Sequence, residues 1–163
     1  MVEKISSLKD RLNGKIIVIG IGNIIKGDDG VGPSLISCLK GKIEADVIDC
    51  GTAPENYTAT IRRKGPNTIV IVDAVDLKLK PGAIRIVDPN EIKDETFSTH
   101  NISLKTFAGF IKTEANATVV IIGVQPERVS FGLPLSDCAN RSVGSLVNEF
   151  TKLIPKRQEA CTA

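Results

Sequence analysis

The residues of this chain with chemistry to offer are its one histidine, His100, and a set of aspartates that follow apolar runs. Asp28 and Asp29 come behind Ile16–Ile25, Asp49 closes the segment Ala45–Asp49, and Asp73 and Asp76 follow Thr68-Ile-Val-Ile-Val72. No cationic cluster accompanies them, so a cation is the simplest missing partner. Two carboxylates and an imidazole suit a borderline divalent ion such as nickel or zinc and leave coordination positions open. A carboxylate pair that shares a proton and activates water for peptide hydrolysis fits the same residue types. At this level both chemistries stand. Asn23, Thr52 and Gln125 are the polar side chains that would line the surrounding cleft. Each position also has a plainer reading. Asp29 could be a helix cap and Asp73 an Asx turn, while Asp28 and Asp76 read as solvated neighbours.

The elements that would position these groups alternate between strand and helix. Val2, Ile5, Leu8 and Leu12 have helical spacing, and Lys15–Ile21 is a β-branched run of the kind covered on both faces of a sheet. Pro33 marks an early helical position, with Val31, Leu35 and Leu39 on one side. Ala45–Asp49 predicts a second strand, Pro54–Lys64 a crossover helix and Thr68–Val72 a third strand. Ala83–Val87 follows too closely for a crossover helix, which predicts an antiparallel or edge strand. Asn101–Thr113 predicts a helix and Ala117–Val124 a last buried strand. A closing helix carries Ala139, Val143, Leu146, Val147, Phe150 and Ile154 on one stripe.

This order predicts a three-layer α/β/α domain over residues 1–155, built on a mostly parallel, twisted five-stranded sheet with one antiparallel strand. Residues 156–163 read as a disordered tail. Such sheets place ligands outside the carboxyl ends of their strands, which is where the acids and His100 fall.

Composition bounds the function classes. The chain has 163 residues, 42% apolar and 25% charged, with a net charge of +2 and no dense basic block, which argues against nucleic acid. The apolar run near the start is interrupted by Gly20, Gly22 and Asn23 and is too short to span a bilayer. A cytoplasmic protein without membrane insertion is expected. The four cysteines, Cys38, Cys50, Cys138 and Cys161, lack metal or disulfide spacing. Cys38 and Cys138 read as core fillers within helices. Gly20-Ile-Gly22 opens toward a helix as in dinucleotide folds, but Gly27 arrives too late for that fingerprint, and the acids behind it would repel a pyrophosphate.

Taken in order, five segments resemble the hydrogenase maturation endopeptidases. These are Gly20-Ile-Gly22-Asn23 running to Gly27-Asp28-Asp29-Gly30-Val-Gly32, Asp49-Cys50-Gly51-Thr52, Val72-Asp73-Ala74, Thr99-His100-Asn101 and Gly123-Val-Gln125-Pro126. Cys50 stands where that family has a glycine. The resemblance implies Asp29, Asp73 and His100 as both metal-sensing and catalytic groups. It implies as partner the precursor of a nickel–iron hydrogenase large subunit, whose inserted nickel serves as recognition element, and as reaction the removal of a C-terminal extension. The nickel then comes with the substrate, and the free enzyme need hold none tightly. A non-catalytic nickel-sensing assembly factor for the same precursor would use the same three residues. If neutral imidazole is the ligand, activity should fall as His100 protonates below about pH 6.5. A pH–rate profile flat down to about pH 5 would exclude that role.

Overall fold

In the computed structural model, which describes residues 5–92 and 102–157, five strands form one sheet in the order β2-β1-β3-β5-β4. The strands are β1 (Ile16–Ile21), β2 (Asp46–Gly51), β3 (Thr68–Ala74), β4 (Ile84–Val87) and β5 (Thr118–Val124). The β1–β2, β1–β3 and β3–β5 pairs are parallel. β4 is antiparallel, as its short connection demands, and it pairs with β5 at the sheet's far edge. Both expectations for this strand, edge and antiparallel, hold together.

Alternation along the strands divides the core in two. Val18, Val70, Val72, Val120 and Ile122 face one layer, where they meet Leu35 and Leu39 of α2 (Val31–Leu39) and Val143, Leu146 and Phe150 of α5 (Asp137–Leu153). Leu8, on the short opening helix α1 (Leu8–Arg11), completes that layer. Ile17, Ile19, Ile69, Ile71 and Ile121 face the other layer, against Ile61 of α3 (Thr58–Lys64) and Phe107 and Ile111 of α4 (Leu104–Ala115). The three-layer reading is therefore correct. With so few aromatics, the sheet interior is almost wholly Ile and Val, whose branched side chains fill a pleated surface well.

Several boundaries differ from the expected ones. β3 continues through Asp73 to Ala74, so Asp73 lies within the strand, paired with Gly123 of β5, instead of beyond its end. α4 starts at Leu104, where Ser103 caps it by accepting from the Thr106 amide. Cys38 is exposed, not a core filler, and Cys138 is half-buried. α2 turns the Val31–Leu35–Leu39 side inward and leaves Cys38 on its outer side. Residues 1–4 of the opening segment and 158–163 of the expected tail lie outside the described residues.

The chain leaves β1 for β2 on one side and then returns to place β3 on β1's other side. The β1–β3 boundary is thus the switch point, where an open α/β sheet parts to leave a crevice. Two glycines let α2 start tightly against it. A Cβ on Gly22, whose φ is +140°, would fall on the Asp29 carbonyl oxygen, and one on Gly32 would stand 2.6 Å from the Val72 carbonyl oxygen. Gly32→Ala is expected to lower the unfolding free energy by about 1–3 kcal/mol. Gly144→Ala, on an open part of α5, should instead be neutral or stabilise by about 0.5–1 kcal/mol. Urea unfolding of the two variants measures both.

Candidate active site

Asp29 and Asp73 flank this switch point. Asp29 lies in the short 3-10 turn Gly27–Gly30 between β1 and α2, and Asp73 near the end of β3. The turn packs directly on β3. Their exposures of 3% and 4% make them two of only three nearly solvent-free acids among the described residues. Asp29 is not a helix cap, since the N-cap residue of α2 is Gly30, and no side chain caps that end. Its Oδ2 instead accepts from the Asn23 amide at 2.9 Å, which draws the loop after β1 around the carboxylate. Asp73 shares its strand face with Ile69 and Ile71, toward the layer that holds α4. His100 precedes that helix in the chain and lies outside the described residues. Among the described residues, no three metal-binding side chains converge.

Asn23 and Thr52 line an open cleft of about 250 Å3 with Asp49 and Ile24, at the carboxyl ends of β1 and β2. The Asn23 side chain accepts from the Ile25 amide and shapes its own loop. Asp49 accepts from the Gly51 amide in the same way. The non-glycine Cys50 is accommodated because the left-handed residue here is Gly51, at φ +52°. Cys50 packs inward at 2% exposure. Burial, with the neighbouring Asp49 charge, pushes its thiol up to about 12. A thiol so strongly protonated at neutral pH is no nucleophile.

Gln125 is turned to another task. Its side-chain oxygen accepts from the Leu77 amide at 2.7 Å and the Leu79 amide at 3.3 Å, and its side-chain nitrogen donates to Asp76 Oδ1. It holds the loop that follows β3. Asp76 is no solvated neighbour, because the same network and a contact to Lys78 engage it.

The residue misread most from sequence is Asp28. It is fully buried, not solvated. One oxygen accepts from the Ser136 amide at 2.7 Å. The other accepts from Ser136 Oγ at 2.8 Å, the Glu127 amide at 2.8 Å and the Arg128 amide at 3.3 Å. Ser136 Oγ also caps α5 by accepting from the Ala139 amide. Burial alone would raise the Asp28 pKa; the four donors outweigh it and hold the carboxyl below its ordinary value. Asp28 thus fastens the turn that carries Asp29 to the loop between β5 and α5. The Asp-Asp pair in sequence was the available signal, but donors about a hundred residues away leave no local trace.

Comparison with known proteins agrees with this fold. The family model for hydrogenase maturation proteases (HycI) matches residues 33–153, a span that contains Asp73 and His100 and starts just after Asp29. The hydrogenase 3 maturation protease of Escherichia coli K12 is 37% identical over 123 residues, covering 74% of this chain and 78% of that protein. The crystal structure of a [NiFe] hydrogenase maturation protease, HycI from Thermococcus kodakarensis, superimposes with a TM-score of 0.80 at 30% identity, covering 90% of this chain and 97% of that one. The E. coli endopeptidase HybD, at 19% identity and a TM-score of 0.67 over 88% of this chain and 98% of its own, shares the fold. The protein is a peptidase of the α/β/α class. It belongs to the hydrogenase maturation protease family.

Asp28→Asn is expected to lower the unfolding free energy by about 2–3 kcal/mol at neutral pH, since an amide cannot accept from all these donors. The folded-state pKa of Asp28 lies below its unfolded value near 3.8. Its stabilisation is therefore complete above that value and is lost as pH falls through the folded one. Urea titrations at neutral pH and near pH 3 should show the gap between wild type and variant narrowing in acid.

Proposed function

We propose that this peptidase removes a C-terminal extension from the nickel-loaded precursor of a nickel–iron hydrogenase large subunit, in the cytoplasm, and that the inserted nickel marks the precursor as ready. The observation that carries this reading is the placement of Asp29 and Asp73, almost free of solvent, on either side of the switch-point crevice. Removing two carboxylates from water is unfavourable unless donors or a cation compensate them. Both carboxylates have partners within the protein, among them the Asn23 amide on Asp29, and a divalent ion delivered by the substrate adds to these. Nickel accepts carboxylate oxygen and imidazole nitrogen alike, which suits Asp29, Asp73 and His100 as the set that meets it.

In this reading the three side chains hold the precursor by its metal and orient a water toward the adjacent peptide carbonyl. Addition of that water breaks the C–N bond, leaving a new carboxyl end on the large subunit and a free amine on the released segment. Asn23 fixes Asp29 through its backbone, and Gln125 steadies the loop behind Asp73. Asn23 and Thr52, on the wall of the open cleft, are available to contact the bound chain.

Mass spectrometry of purified protein incubated with loaded and nickel-free precursor tests the proposal. Shortening of the loaded form alone is expected. Asp29→Asn, Asp73→Asn and His100→Ala should each slow it by about a hundredfold or more while the protein stays folded. Equal shortening of both forms would exclude nickel sensing. Binding of the precursor without any shortening would make the protein an assembly factor.

A further inference from the structure

Four large apolar side chains are exposed among the described residues, and three of them lie together beside the candidate active site. Ile24 is 66% exposed, Ile25 58% and Phe131 69%; the fourth, Phe110, lies away on α4. They project from two loops fastened into one unit. The Gly132 amide donates to the Ile25 carbonyl at 2.8 Å and the Gly27 amide to the Leu133 carbonyl at 3.0 Å, while Asp28 closes the same seam from inside. The Lys26 ammonium sits 5.0 Å from the centre of the Phe131 ring. Exposed Glu127 and Arg128 also belong to these loops.

We infer that Ile24, Ile25 and Phe131 form a docking platform for apolar side chains of the precursor polypeptide next to the bond to be cut. The inference rests on the processing reaction proposed above. Three observations select this occupant. Ile24 is also a wall of the cleft that Asn23 and Thr52 line, so the platform continues the face proposed to contact the bound chain. Backbone hydrogen bonds fix the two loops that carry these exposed groups, and a fixed backbone lowers the ordering cost of binding. Its apolar centre with charged Lys26, Glu127 and Arg128 around it matches the make-up of protein-binding patches. A peptidase must also hold its chain beyond the reacting atoms, because remote contacts align the scissile bond.

The test combines Ile24→Ser, Ile25→Ser and Phe131→Ser and measures Kd for the loaded precursor by calorimetry, KM for its processing, the melting midpoint and the mass by light scattering. A rise in Kd and KM of about tenfold or more, with midpoint and mass unchanged, is expected. Phe110→Ser should leave both constants alone. Should the triple variant melt early, Phe131→Ser alone takes its place, with a rise of at least about threefold expected. Unchanged affinity would overturn the inference. So would a wild-type dimer that the substitutions dissolve without effect on the precursor, since the face would then belong to a second copy. Wild-type protein that binds the precursor and never shortens it would sink the processing reaction, while the ratio of affinities would still judge the platform.

Discussion

The active end of this molecule depends on one buried carboxylate that makes no contact with the proposed chemistry. Asp28 gathers four donors from a loop about a hundred residues further along the chain, and so binds the exit of β1 to the entry of α5. Its neighbour Asp29 is carried on the same turn and inherits that rigidity. Two adjacent aspartates thus divide the work. One is saturated by the protein's own amides and a hydroxyl, and the other draws the loop after β1 around itself through the Asn23 amide. In the function proposed above Asp29 meets a ligand, and a fixed backbone suits that role, because a loop free to move would lose much of the binding energy to ordering.

The glycines around this turn serve the same end from the other side. Gly22 and Gly32 admit backbone where a side chain would collide with the carbonyls of Asp29, Ile21 and Val72. The first turn of α2 can therefore rest directly on the ends of β1 and β3. The glycine-rich signature, which lacks the spacing of a dinucleotide fingerprint, is in this structure a packing solution that brings an acid to the switch point.

Most of the architecture was legible because it is written locally. Unbroken β-branched runs marked β1, β3 and β5, and the apolar stripe of α5 marked the closing helix. The shortness of the segment before Ile84 foretold a strand without a crossover. The acids at the strand ends were also visible, and the topology then singled out Asp29 and Asp73 by placing the switch between β1 and β3. What was hidden lies in long-range pairing. Nothing near Asp28 announces Ser136, and nothing near Gln125 announces the amides of Leu77 and Leu79. Cys38 was misjudged because α2 buries Val31, Gly32, Pro33, Leu35, Ile36 and Leu39, and Cys38 falls on the remaining, exposed face.

The sheet also ends in two edges that could in principle recruit strands from other molecules. β4 offers only four residues, too short a template for stable pairing. β2 carries Asp46, which meets both Lys15 and Lys64, and the exposed Asp49, so an incoming strand would have to desolvate or displace charge along its length. The main-chain edges are thereby unattractive to passing polypeptide, which fits the recognition by side chains inferred above.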